Sequence, residues 1–146
     1  MKLNVGCGNM PLEGYKNIDI SHDSKAEAVY DASKQLLEEP ESMEEINCGC
    51  MMEQIESNAD FVNFLNECHR VLKEGGIMKG YVPSTDPRVM HLDPMDKRFF
   101  QLGTFEYFDK SKHHWQEFGR VYGFKGWSRC EAQLNENGII HFTMTK

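Results

Sequence analysis

Apolar residues come in short bursts along the first eighty positions, and each burst ends at a turn-former or a charge. Strand-like stretches fall at about 2–5, 17–20, 28–30, 45–49 and 77–82. Between the last two the spacing changes. Phe61, Phe64, Leu65, Cys68, Val71 and Leu72 recur at i, i+3, i+4, i+7, i+10 and i+11, the pattern of a single helix face. That pattern predicts a helix over Asp60–Glu74, capped by Ser57 or Asn58, with Asp60 at the positive end of the dipole and Gly75-Gly76 as the stop. Further on, Thr104 to Tyr107 reads as a short helix, and Trp115, Phe118 and Tyr122 as a helical turn or two before Gly123. The chain closes on a hairpin: Trp127–Leu134 and Ile139–Thr145 flank Asn135-Glu136-Asn137-Gly138, where Asn-Gly tolerates the positive φ of a tight turn.

Short strands interleaved with crossovers, followed by an antiparallel pair, describe a mostly parallel α/β sheet in one domain over residues 1–146. Such sheets bind ligands at the carboxyl ends of their strands. Gly6, Gly8, Asp19, Asp31, Cys48 and Cys50 occupy those ends. Only eight residues separate Gly8 from Asn17, too few for a crossover helix, so helices between the first strands are reduced.

Composition narrows the partners. Apolar residues make up 40% of the 146 and charged residues 27%, and no apolar run approaches the roughly 20 residues of a membrane span, so no membrane partner is expected. With no leader ahead of Lys2 and five cysteines without paired spacing, a reducing, cytoplasmic setting is the expectation. The net charge of −7 is uneven: −9 over residues 1–78, +3 over 79–129 and −1 over the remainder. An acidic chain repels duplex nucleic acid. The basic middle segment fits either a local anionic target or an ordinary solvated surface.

The N-terminal MKLNVGCGNMPLEGYKNIDI places a glycine pair after one strand and an acid after the next, a way of holding a nucleoside. A dinucleotide site would have a third glycine where Pro11 stands and a helix to receive the pyrophosphate. Both are missing. A phosphate-free cofactor, held by bare backbone and a carboxylate on its ribose, needs neither, and S-adenosyl-L-methionine meets that description.

The ordered set LNVGCGNMPLEGYKNIDI, VYDASK, CMMEQI, FLNECHRVLKEGGIMKGYVPS and DPMDKRFFQLGTFEYFD resembles the class I S-adenosylmethionine-dependent methyltransferases, in particular the compact bacterial and phage group related to methyltransferase type 11 domains. The resemblance implies a Rossmann-like class I methyltransferase sheet, and roles for particular residues. Gly6, Cys7 and Gly8 would meet the methionine part through backbone. Asp19, with Ile20 beside it, would take the ribose hydroxyls. Asp31 and the backbone of Ala32 would approach the adenine, with an N-cap of the Ser33–Glu39 stretch as the competing role for Asp31. Gly49 and Cys50 would face the sulfonium and the acceptor.

For chemistry, Glu53, His91 and Asp93 are the candidate bases. Lys97 and Arg98 suit an anionic small-molecule or glycan-type acceptor, or else tie their loop to the acidic half of the domain. Two departures bear on catalysis: Gln54 and Asp96 stand where the family often has histidine. A non-catalytic binding or interaction module on the same fold is therefore the rival reading. Cys48-x-Cys50 and His113-His114 lack the second pair that zinc spacing demands, so no metal is expected. An exposed sheet edge leaves a homodimer open.

Overall fold

The computed structural model describes residues 1–146. The strands are β1 (Lys2–Val5), β2 (Lys16–Asp19), β3 (Ala28–Val29), β4 (Met43–Gly49), β5 (Leu72–Pro83), β6 (Arg129–Leu134) and β7 (Ile139–Thr145). They form one sheet in the order β3-β2-β1-β4-β5-β7-β6. The first five pair in parallel, and β7 runs antiparallel to both β5 and β6. This is the mostly parallel sheet with a C-terminal antiparallel hairpin that the chain's pattern predicts, and the Rossmann-like arrangement that the resemblance implies. The strand order reverses between β1 and β4, so a crevice opens outside their carboxyl ends.

One face of the sheet carries the core. Leu3, Val5, Ile46, Cys48, Met78, Val82, Ile140, Phe142 and Met144 alternate along their strands and are all buried. Helix α1 (Asn58–Val71) lays Phe61, Phe64, Leu65, Cys68 and Val71 into the same cluster. Each such side chain contributes about 1.5–3 kcal/mol by burial. The Ser57 hydroxyl accepts a hydrogen bond from Asp60 N at 3.2 Å, worth roughly 1 kcal/mol, so packing outweighs capping. Phe61 also meets Phe100, Phe108 and Phe124 edge to face, which fastens residues 100–127 over the helix.

The opposite face has no helix over its first strands. There β1, β2 and β4 align Asn4 with Asn17 and with Asn47, and the three amides bond in a row: Asn47 Nδ2 to Asn4 Oδ1 at 2.8 Å, Asn4 Nδ2 to Asn17 Oδ1 at 2.9 Å. The β1–β2 connection folds over this row. Leu12 N donates to Asn17 Oδ1 at 2.7 Å, Asn17 Nδ2 donates to Leu12 O and Tyr15 O, and the Tyr15 hydroxyl bonds Glu45. Asn4 and Asn17 are buried, and these bonds satisfy them.

Several boundaries differ from the sequence expectation, whereas the helical turns expected before Gly123 are present. Helix α1 stops at Val71, because Leu72 already pairs with Met43 in the sheet and its carbonyl accepts a hydrogen bond from Lys146 Nζ at 2.7 Å. Residues 32–34 form a turn, and no helix follows over 35–39. The stretch Trp115–Gly119 winds as a π-helical turn that runs into α2 (Arg120–Tyr122) and ends at Gly123 with φ 100°. Trp127 lies outside β6, buried in an isolated bridge to Asp109. Replacing Asn17 by Ala strips several buried groups of their partner, and urea denaturation is expected to show a loss of at least about 2 kcal/mol. A loss below about 0.5 kcal/mol would leave the amide row without a structural role.

Candidate functional site

A cavity of about 600 Å³ lies at the carboxyl ends of β1, β2, β3 and β4, a volume ordinary for a small-molecule site. Its floor is the strand tips. Gly6 N and Cys7 N both donate to Ile18 O, at 2.9 and 3.1 Å, which locks the tip of β1 to β2. Gly6 has φ +70°, and a Cβ there would sit 3.0 Å from Met51 Cβ and Cγ, so the bare backbone at this point is required twice over. The wall continues through Ile20, Tyr30, Asp31, Ala32 and Ser33, then Cys50 and Met51 past β4, Ser57 and Asp60 at the start of α1, and Met95 and Lys97.

Asp19 holds the turn and still faces the cavity. Its Oδ2 accepts from Gly8 N and its Oδ1 from Ser21 N, each at 2.8 Å. A carboxylate offers about four acceptor positions, so two remain for ligand hydroxyls. Asp31 Oδ1 accepts from Ser33 N at 2.9 Å and Ser33 Oγ at 2.6 Å, so this residue caps a turn and lines the cavity at once. Four carboxylates (Asp19, Asp31, Glu56, Asp60) line the cavity against one lysine, Lys97. Such a field suits a cationic ligand and opposes a pyrophosphate.

The structure thus brings Gly6, Asp19, Ile20, Asp31, Ala32, Cys50 and Lys97 around one space. It places Cys7, Gly8 and Gly49 outside that wall. Cys7 is buried with its thiol toward Gly8 O, Gly8 spends its N–H on Asp19, and Gly49 packs under the Tyr81 ring, where a Cβ would be 2.7 Å away. Arg98 also points elsewhere. Its Nε donates to Ile55 O at 2.6 Å, one Nη to Asn58 Oδ1 at 2.8 Å, and its guanidinium lies 4.3 Å over the Phe61 ring. The guanidinium ties its segment to α1.

Among the candidate bases, His91 has φ +58° and sits exposed against the edge of Phe99, while Asp93 is exposed and accepts from Gln54 Nε2 at 3.3 Å and Met95 N at 2.9 Å. Glu53 is different. It lies in the short turn Met52–Gln54, is 2% exposed, and has one oxygen with no partner. Burial first, and the neighbouring Asp96 and Asp93 carboxylates after it, push its pKa up to about 7. Cys50, at φ +50°, separates Glu53 from the cavity, and burial with the adjacent Glu53 carboxylate pushes its thiol up to about 12.

Asp96, noted in the sequence only as a departure from the family's histidine, bears on Glu53 together with Tyr81, and Tyr81, like Met51 and Met95 on the cavity wall, had no place in the sequence reading of the site. The signal for Asp96 was its place in DPMDKRFF, where the family often has histidine. A second void, about 780 Å³ between α1 and residues 104–124, is larger, yet its single charged side chain is the already engaged Arg98. It offers no group for chemistry.

No protein-family model and no curated protein matches the chain. Solved structures do. A methyltransferase from Archaeoglobus fulgidus described as S-adenosylmethionine-dependent superposes with TM-score 0.64 at 14% identity, over 99% of this chain and 85% of its own. One from Methanosarcina mazei gives 0.56 at 18%, over 99% and 90%. The PH0226 protein of Pyrococcus horikoshii gives 0.66 at 15%, over 99% and 80%. The fold is that of the Rossmann-like S-adenosylmethionine-dependent methyltransferases. At these identities the likeness is one of fold.

Because Glu53 binds its proton more tightly folded than unfolded, its stabilising contribution is complete below about pH 4.5 and fades as pH rises through about 7. Thermal melts should therefore show stability falling between pH 5 and 8 by roughly 2–4 kcal/mol from this group. In Glu53→Gln that part of the slope should vanish; a slope identical to wild type would show that Glu53 titrates as an ordinary surface acid.

Proposed function

We propose that this protein transfers a methyl group from S-adenosyl-L-methionine to a small-molecule or glycan-type acceptor, in the manner of the compact methyltransferases related to type 11 domains. The observation that carries the reading is the cavity at the β1–β4 crevice, which joins a bare Gly6 backbone, an Asp19 carboxylate with free acceptor positions and an acid-rich wall. The adenosyl group lies along Asp19, Ile20, Asp31 and Ala32, with its ribose hydroxyls on Asp19. Tyr30, Met51 and Ile55 give the ring and the methionine chain apolar contact. The acidic wall suits the sulfonium charge.

When bound, the cofactor supplies an electrophilic methyl carbon. The protein's part is to orient the acceptor for in-line attack, to exclude water and to receive a proton. Cys50, on the wall past β4, is the residue against which the acceptor docks, and Glu53 behind it is the base. Exposed His91 and Asp93 lie on the segment that covers this side. Lys97 stays as a contact for the cofactor's own carboxylate. With Arg98 engaged on α1, an anionic acceptor loses one of its two expected partners.

Calorimetry with S-adenosylmethionine and S-adenosylhomocysteine tests this directly. Saturable binding of both is expected; absence of heat and of any thermal shift with either overturns the proposal and favours a non-catalytic module on the same fold. Asp19→Ala, shown folded by circular dichroism, should weaken cofactor binding at least tenfold, about 1.4 kcal/mol. Unchanged affinity would remove Asp19 from the site.

A further inference from the structure

Two carboxyl oxygens in this protein are buried without a hydrogen-bond partner, Glu53 Oε2 and Asp96 Oδ1, and the Asp96 carboxylate acts electrostatically on Glu53. Main chain holds the two acids together. The amides of Lys97 and Arg98, which follow Asp96, both donate to Glu53 O, at 2.7 and 2.9 Å. Asp96 N in turn donates to Asp93 O at 3.2 Å, and Gln54 Nε2 reaches Asp93 from the other side. The turn at residues 52–54 and the segment at 93–98 therefore form a clasp with both carboxyls inside.

No cation enters the clasp. Lys97 lies on the cavity wall and Arg98 is bonded to Ile55 and Asn58. The ionisable groups bearing on Glu53 are acidic: Asp96 and Asp93 from the segment and Cys50 from the end of β4. Cys48 on β4 and Tyr81 on β5 face the same spot, and His91 bears on Asp96 alone as a basic group. A buried carboxyl oxygen without a donor is costly when charged and tolerable when protonated. With no counter-ion at hand, burial raises the proton affinity of both acids, and the Asp96 carboxylate raises that of Glu53 further.

We infer that Glu53 and Asp96 act as one carboxyl pair that holds a single proton at rest and takes up the proton a methyl acceptor must shed, and that this acceptor is a protonated amine. The second half rests on the methyl-transfer reading above; the first half does not. Cys50 supplies the path, since it is exposed to the cavity, is held at an unusual positive φ, and has its thiol against Glu53.

In the step, the ammonium gives one proton to the Cys50 sulfur while the thiol's own proton passes to the ionised carboxylate of the pair. The freed nitrogen lone pair forms the N–C bond to the methyl carbon. The C–S bond breaks, and its electrons stay on sulfur as a neutral thioether. The pair ends doubly protonated and the positive charge once on the sulfonium sits on the methylated ammonium, so charge balances. The acidic clasp also selects for a cation, and a carboxyl pair titrating near neutrality is far better matched to an ammonium than to an alcohol.

Carbon-13 NMR of protein labelled at the glutamate side-chain carboxyl tests the pair. One signal, absent in Glu53→Gln, should titrate near neutral pH in the wild type and move down by at least about one pH unit, a tenfold change in proton affinity, in Asp96→Asn. A Glu53 signal that titrates with the other glutamates, or that ignores Asp96→Asn, overturns the pair; the wild-type titration alone decides this if either variant fails to fold. For the acceptor class, calorimetry in the presence of S-adenosylhomocysteine compares butylammonium with butyl phosphate. At least tenfold preference for the ammonium is expected, and preference for the phosphate overturns the amine. A protein whose pair titrates as described yet ignores S-adenosylmethionine would overturn the methyl-transfer reading and leave the pair standing.

Discussion

The row of amides formed by Asn4, Asn17 and Asn47 is the constraint on which this small fold turns. A parallel sheet is ordinarily buried on both faces by crossover helices. Here the β1–β2 connection spans residues 6–15 and holds no helix. Without one, the polar face of β1, β2 and β4 has to be satisfied from within. The amides bond to one another, and the connecting loop bonds to them through Leu12 and Tyr15. The loop so fixed starts at Gly6 and Cys7, whose amides converge on Ile18 O, and passes Gly8, whose amide lies on Asp19. The same bonds that cover the sheet therefore shape the tip where the cavity begins.

Much of this was legible because it is local. The strand tips at Gly6 and Asp19 announce themselves through residue type and the end of an apolar burst, and α1 through an unbroken period. Helix α1 was overextended because Leu72 is buried in either conformation, so the period ran on past the point where pairing with Met43 takes over. In the same way, Gly8 and Cys7 looked like ligand contacts because they sit in the glycine loop, whereas their backbone and thiol are committed to the turn itself. For Arg98 the sequence leaves both an anionic contact and a tie of its loop open, and the contacts with Ile55, Asn58 and Phe61 are those of a tie.

What stayed hidden is tertiary. Asp96 lies forty-three positions after Glu53, in a segment rich in charge and proline, and nothing in its surroundings marks it as buried. Its burial follows from two backbone hydrogen bonds to a carbonyl in another element. Tyr81 comes to the same spot because its strand neighbour across the sheet is Gly49, whose missing side chain makes room for the ring. These are contacts of register and of loop closure, and a linear pattern carries neither.

The two acidic regions of the site have opposite physical character, and Cys50 stands between them. In the open cavity, Asp19, Asp31, Glu56 and Asp60 are spread along the wall, where main-chain amides bond Asp19 and Asp31 and Lys34 pairs with Asp60. Behind Cys50, Glu53 and Asp96 are buried with one unpartnered oxygen each, and burial raises the proton affinity of both. In the proposed reaction a cationic ligand belongs on the first side and a proton on the second. Methyl transfer to an amine uses one of each, because the reaction begins with a sulfonium and an ammonium and must release a single proton. A single residue at β4's exit, Cys50 at positive φ, joins the two regions, since it lines the cavity and its thiol feels the Glu53 carboxylate.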